Sequence, residues 1–219
     1  MLIDLLLPRR CVSCGRSGGP VCRACLDGLP RVGASHCSRC GGPTAVPMLR
    51  CRDCARTSPA YATARSALLY EGVTRLVVSA WKERGVRTLA NQLAAIIGAD
   101  IPARGGATVT WVPPDLSRQL RRGHHPARAL ARELAAQWGT PGGDLLIRTR
   151  PARRQARLAR AERYTNVCGA FESRGPCEGE IVLVDDVFTT GATVDECARA
   201  LRRAGATRVD VVTLARAPR

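Results

Sequence analysis

Eight cysteines fall within the first 54 residues as four Cys-x-x-Cys pairs: Cys11/Cys14, Cys22/Cys25, Cys37/Cys40 and Cys51/Cys54. Two residues between thiolates let both sulfurs reach one ion while the backbone turns. The pairs are themselves paired, because "CVSCGRSGGPVCRAC" and "CSRCGGPTAVPMLRCRDC" both read C-x2-C-G, a Gly/Pro-containing spacer, then C-x2-C. Two zinc ribbons in series account for this repeat, with Gly15 and Gly41 suited to the tight turn after each second ligand. The stretch holds few large apolar side chains, so a metal supplies the cross-link that a core would otherwise provide. A single zinc with partly degenerate remaining cysteines stays open. A disulfide scaffold is the competing reading. The apolar start "MLIDLLLP" is interrupted by Asp4, is too short for a membrane span and lacks a small-residue cleavage site. A cytoplasmic chain without membrane insertion is expected, and disulfides are rare in that compartment. Cys168, Cys177 and Cys197 have no spaced partner and read as small buried residues, and His36 reads as a surface residue.

The formal net charge is +16 over 219 residues, and its distribution is informative. Residues 1–60 hold nine Arg against three Asp, whereas Arg118 to Arg163 holds twelve Arg against Glu133, Asp144 and Glu162. Lys82 is the only lysine among 34 basic residues. A bias towards arginine replaces one cation by another and creates no surplus, so the excess points to an anionic ligand or polymer. Two four-thiolate zinc sites would carry a formal charge of about −2 each, cutting the ribbon region from +6 to about +2 and leaving it a structural or protein-binding role.

Past a hinge at "TSPA", residues 57–60, strand and helix patterns alternate. "TARSALLYEG" reads as a strand. "VTRLVVSAWKER" reads as a helix burying Val73, Leu76, Val77, Ala80 and Trp81. A helix in "TLANQLAAIIGAD", a strand in "TVTWVPP" and a helix in "PARALARELAAQW" follow, the last with Pro126 in its first turn and a Leu130/Leu134/Trp138 stripe. "IVLVDD", "TVDECARALRRAG" and "RVDVVTLAR" close the chain as strand, helix and strand. The alternation predicts a parallel sheet with helices on both faces and a ligand site at the carboxyl ends of its strands.

"IVLVDDVFTTGAT" places that site. Ile181 to Val184 is expected as the buried strand, Asp185 and Asp186 as its carboxyl end, and Thr189 to Thr193 as the loop before a helix. Backbone N–H groups at a helix start attract anions, the Thr hydroxyls add donors, and Gly191 permits close approach. Paired acids accept hydrogen bonds from a vicinal diol, so the string suits a ribose 5-phosphate. The bland alternative is two acids that cap a helix and face water.

The thirteen residues resemble the phosphoribosyl pyrophosphate (PRPP) motif of type I phosphoribosyltransferases. The resemblance extends over nearly the whole chain to the ComF family, through the four Cys-x-x-Cys pairs, "LLYEGVTRLVVSAWKERG", "WVPPDLSRQLRRGHHPARALA", "QARLARAERYTNVCGAF" and "VDDVFTTGATVDECARALRRAGATRVDVVTLAR". It implies an α/β fold, a type I phosphoribosyltransferase-like parallel sheet flanked by helices (residues 59–219), behind a small double zinc ribbon (residues 1–58). It also implies a link to natural competence and DNA uptake. By the resemblance, Asp185 and Asp186 take the ribose hydroxyls, Thr189, Thr190, Gly191, Ala192 and Thr193 take the 5-phosphate, and Pro113, Pro114 and Asp115 belong to the pyrophosphate loop. Lys82 matches a family lysine and joins the two acids as a catalytic candidate. Gln155, Leu158, Glu162, Arg163, Asn166 and Phe171 fit a further family stretch. The implied cofactors are structural Zn2+ and, with PRPP, Mg2+.

The chain departs from the family where "RGHHP" replaces R-G-F-N-Q and "WVPP" replaces P-V-P. His124 and His125 then either stack or bind phosphate, or are exposed loop residues without a fixed role. Three readings follow: an active PRPP-dependent phosphoribosyltransferase, a PRPP-binding factor handling incoming single-stranded DNA, and a PRPP-sensing adaptor that docks a competence helicase or another uptake protein. Arg121, Arg122 and Arg157 are candidates for the diphosphate, and Arg121, Arg122, Arg153, Arg154, Arg157 and Arg163 for nucleic acid. With only eight aromatic residues in the chain, DNA binding is expected to be phosphate-driven.

Overall fold

The computed structural model describes residues 10–116, 120, 122–150 and 167–218. Strands β1 (Thr63–Leu69), β2 (Thr108–Trp111), β5 (Glu180–Phe188) and β6 (Arg208–Arg216) form a parallel sheet in the order β1-β6-β5-β2, and β3 (Leu146–Arg148) pairs antiparallel with β4 (Phe171–Ser173). The expected alternation of strands and helices is present, and the short β3–β4 hairpin is an addition to it. No helix among the described residues is long and apolar enough to cross a membrane.

Both faces of the sheet are covered, which is why its strands read as continuous apolar runs. Within β5 the side chains alternate: Val182 and Val184 pack into one hydrophobic cluster, Ile181 and Leu183 into the other. Helices α3 (Gly72–Lys82), α4 (Leu89–Asp100) and α5 (Pro126–Trp138) contribute Trp81, Leu93, Ile97, Leu130 and Leu134 to the first cluster. Helix α6 (Ala192–Arg203) contributes Ala198 and Leu201 to the second. One expected stripe is corrected. Leu76 is 47% exposed, while Thr74 and Val78 are buried, so α3 is rolled to turn Val78 inward with Val77 and Trp81.

The cysteines gather as the repeat requires. The sulfurs of Cys11, Cys14, Cys22 and Cys25 lie within 4.8 Å of one another, as do those of Cys37, Cys40, Cys51 and Cys54. The second pair of each set spans the start of a short helix, Cys22 at the N-cap of and Cys25 within α1 (Arg23–Asp27), Cys51 at the N-cap of and Cys54 within α2 (Arg52–Thr57). The donor chemistry fits a tetrahedral thiolate site in each case. Burial opposes ionisation of Cys11, yet the backbone around Cys14, Cys22 and Ser13 outweighs it and lowers the thiol to about 6. Cys37, against the same opposition, falls to about 7 through the backbone of Cys40, Cys51 and Arg39. Burial and then the charge of Cys40 push Cys54 upward instead. Ionising all four thiols of a set needs a cation between them. Cys177 and Cys197 are buried as expected, whereas Cys168 is exposed, and His36 is half-buried with Nδ1 3.2 Å from the Gly33 carbonyl.

The cysteine-rich segment is built onto the sheet. Cys11, Val21 and Leu29 join the first cluster, and Cys37, Cys40 and Cys54 join the second. The chain between the two sets lines the edge of β1, with Val32 N–H donating to the Ala67 carbonyl at 3.0 Å and Leu69 N–H to that of Pro30 at 2.8 Å. Pro141 and Gly143 line the edge of β2 in the same way, at 2.8 and 2.9 Å from Val109. Both open edges of the sheet are thus covered. Elemental analysis of the purified chain is expected to find about two zinc ions per molecule. One zinc would retire the double site, and none would overturn the metal assignment.

Candidate functional site

Strand β5 keeps its partner on one side only. Its pairing with β2 ends at Trp111 opposite Val184, followed by a last bond from Val112 N–H to the Val184 carbonyl at 3.0 Å, whereas β6 continues to Arg216 opposite Phe188. Asp185 and Asp186 are the first residues past the end of β2. They lie inside the strand rather than at its tip, because β6 holds β5 in register to Phe188. Thr189, Thr190 and Gly191 make the turn, and Ala192 opens α6. Gly191 has φ +83°, a left-handed conformation that favours glycine, and its carbonyl accepts the Asp195 N–H at 2.9 Å. A Cβ there would lie 2.7 Å from Cζ of Phe188. The close approach that this glycine permits is therefore to the ring beneath the turn.

A cleft of about 170 Å³ opens beside the acids. Asp185, Asp186, Lys82, Pro113, Pro114, Asp115 and Thr193 all line it, with Arg122, His124 and Arg148, so residues from five stretches of the sequence meet there. Lys82, the last residue of α3, places Nζ 2.8 Å from Oδ2 of Asp186. Asp185 Oδ1 accepts the Asp186 N–H at 2.8 Å. Burial and then the neighbouring Asp186 charge raise the Asp185 carboxyl from its ordinary 3.8 to about 7, against the opposing Lys82 cation and that N–H. Thr190 Oγ1 accepts the Ala192 N–H at 3.3 Å, and Thr189 is exposed.

The histidines have fixed places. His124 sets Nε2 2.9 Å from the Trp81 carbonyl and Nδ1 3.1 Å from that of Arg122, tying the loop to the end of α3. His125 caps α5, its Nδ1 accepting the Arg128 N–H at 3.2 Å. Burial, then the Arg128 charge, lowers His125 to about 4, so its ring is neutral at neutral pH. The expectation of exposed residues without a role is corrected. Arg122 also reaches the cleft wall, where Glu83 pairs with it.

Two residues here have no role legible in the sequence: Glu83, within the stretch that ends α3, and Arg148 on the cleft wall, which β3 brings in. Arg121, Arg153, Arg154, Arg157 and Arg163 lie outside the described residues, as do Gln155, Leu158, Glu162 and Asn166. Phe171, from the same stretch, is buried in β4.

A larger cavity, about 600 Å³, lies at the amino ends of the strands between Trp138, Arg65, Arg104 and Arg208. Its buried carboxylate, Asp210, is already occupied by Arg104 at 2.6 Å, Arg208 at 2.8 Å and the Thr63 hydroxyl at 2.7 Å. Size favours this cavity, but the paired acids and the turn into α6 sit at the other end of the sheet. The smaller cleft is the candidate site.

Sheet, turn and thiolate sets together define an α/β protein built onto a cysteine ribbon segment. Residues 2–55 match the family described as the double zinc ribbon domain. The chain is 31% identical over 209 residues to the DNA utilization protein YhgH of Salmonella typhimurium, covering 90% of each chain. It is 29% identical over 208 residues to the competence protein ComFC of Bacillus subtilis, covering 90% of this chain and 84% of that one. The chain belongs to the ComF family, with YhgH and ComFC as relatives. Among solved structures, the glutamine PRPP amidotransferase from B. subtilis overlaps with a TM-score of 0.39 at 27% identity, over 65% of this chain and 28% of that one.

The raised Asp185 carboxyl has a signed consequence. A folded-state value above the unfolded one means that stability is fully present below about pH 4 and declines as pH rises towards 7. The zinc thiolates add the same pH dependence to parent and variant, so across roughly pH 5.5 to 8 urea unfolding is expected to show the parent losing stability relative to Asp185→Asn as pH rises. Parallel profiles would show that Asp185 is ionised normally.

Proposed function

We propose that the cleft binds PRPP or a related ribose 5-phosphate, and that the chain uses this ligand in DNA utilization, as a factor for incoming single-stranded DNA. The observation that carries the reading is the meeting of Lys82 with Asp186 in a cleft shared by Asp185, Thr193 and the Pro113–Asp115 stretch. Asp185 and Asp186 would accept the ribose hydroxyls, and the turn from Thr189 to Thr193 would hold the 5-phosphate with backbone N–H groups. The diphosphate, with Mg2+, would face Pro113 to Asp115. Lys82, already beside Asp186, supplies the local positive charge that such a ligand needs. The name of YhgH supports the link to DNA and that of ComFC a link to competence, and the arginine surplus between Arg118 and Arg163 supports a polyanion as partner.

A second reading, transfer from PRPP to an acceptor, is favoured by one observation. A carboxyl near 7 can take a proton at neutral pH, as a reacting nucleophile would require. Release of pyrophosphate on adding an acceptor base would support it.

Calorimetry with PRPP and Mg2+, beside a single-stranded oligonucleotide in the same salt, tests the proposal. The parent is expected to bind both. Asp185→Asn with Asp186→Asn is expected to weaken PRPP by about 10- to 100-fold through lost charge-assisted hydrogen bonds, while inorganic phosphate binding is kept or improved. Gly191→Val is expected to abolish both ligands, because its Cβ would meet the Phe188 ring at 2.7 Å and the φ of +83° disfavours a branched residue. A double Asn variant that binds PRPP like the parent would remove the acids from the ribose site.

A further inference from the structure

The turn that opens α6 rests on a stack of buried groups leading to the second cysteine set. Gly191 sits against the Phe188 ring, which is 2% exposed and meets Tyr61 edge-on at 6.3 Å between centroids. On Phe188 lies the guanidinium of Arg216, its central carbon 5.0 Å from the ring centroid. Arg216 ends β6, directly opposite Phe188 in the register, and is fully buried. Its Nη1 donates to the carbonyl of Cys40 at 2.6 Å. Gly42 closes the contact: a Cβ there would lie 3.2 Å from Arg216 Nη2 and 3.3 Å from the Cys40 sulfur. Backbone of the cysteine knuckle, guanidinium, aromatic ring and turn are thus consecutive layers.

A buried guanidinium needs a compensating charge. A zinc ion held by Cys37, Cys40, Cys51 and Cys54 leaves a net formal charge of about −2 beside Arg216. Arg65 approaches the same knuckle, donating through Nη1 to the Ser38 carbonyl at 2.9 Å. Without the metal, Cys54, pushed upward by burial, holds its proton and the set carries less negative charge, and the Cys40 carbonyl is no longer held by a closed site. The guanidinium then loses two of the contacts that hold it over Phe188, and the left-handed turn at Gly191 loses support from its floor. Cys11 of the first set belongs to the cluster on the other face of the sheet, away from this stack.

We propose that Arg216 is a positioning residue for the phosphate-binding turn, so that zinc in the second cysteine set and a phosphate ligand at Thr189 to Thr193 strengthen each other's binding. This rests on the proposed phosphate site. The coupling is reciprocal: whatever factor zinc adds to phosphate affinity, phosphate adds to zinc affinity at that set.

The test uses the full zinc-loaded chain with inorganic phosphate and PRPP as probes. Arg216→Met keeps the volume and removes the charge. It is expected to retain both zinc ions and the parent's circular dichroism, to bind both probes about tenfold more weakly, and to regain part of that loss as Arg216→Lys. Equilibrium competition with a chromophoric chelator reads the other direction on the unaltered protein, so it does not depend on a variant folding. Saturating PRPP is expected to tighten one of the two zinc ions by the same factor of about ten and to leave the other unchanged. A folded Arg216→Met that binds both probes like the parent overturns the proposal. So does a PRPP-bound chain in which neither zinc responds, or both respond equally. If the parent binds neither probe, the ligand reading itself fails and takes the coupling with it.

Discussion

The candidate site exists because β2 stops where β5 continues. In the parallel register, the donor after Val112 on that side would be residue 114, and Pro114 has no N–H to give. The ladder ends, and β5 runs on with one bare edge. Asp185 and Asp186 stand on that edge, with the stretch that ended β2 as the facing wall. Strand β6 meanwhile holds β5 extended as far as Phe188, so the acids are fixed by a sheet on one side and face a cleft on the other. The arrangement offers polar groups to a ligand without leaving them on a mobile loop.

Charge placement follows from this geometry. Burial at the border of the sheet and the adjacent Asp186 charge make Asp185 resist ionisation, and Lys82 offsets part of that cost from the end of α3. The cysteine segment shows the same balance on the opposite face of the sheet. There a thiolate set sits against the buried guanidinium of Arg216, and the Arg39 carbonyl of the knuckle accepts the Ala64 N–H of the sheet at 2.7 Å. The segment is packed into both hydrophobic clusters, so its metal sites and the sheet share one interior.

Much of this was legible in the sequence for identifiable reasons. The cysteine repeat has a fixed spacing, and its sets of four assemble as the repeat implies. Apolar runs marked the buried strands because both sheet faces are covered. Asp185, Asp186, Lys82 and the Pro113–Asp115 stretch were each singled out, and they meet in one cleft. What was not legible depends on register and packing. The length of β5 past Val184 is set by β6, which no local pattern reports. The roll of α3 that exposes Leu76 depends on its neighbours. His125 as the cap of α5 departs from the usual Ser, Thr, Asn or Asp. Arg216 lies at the end of an apolar strand, where a sequence reading places an arginine in solvent.

The central claim is that the bare edge of β5 and the turn after it form a ribose 5-phosphate site. A crystal structure of the zinc-loaded chain with bound ribose 5-phosphate tests it most directly. The account predicts the phosphate on the backbone N–H groups between Thr189 and Thr193, with the ribose hydroxyls on Asp185 and Asp186. A phosphate found instead among Arg65, Arg104 and Arg208, in the larger cavity at the amino ends of the strands, would contradict it.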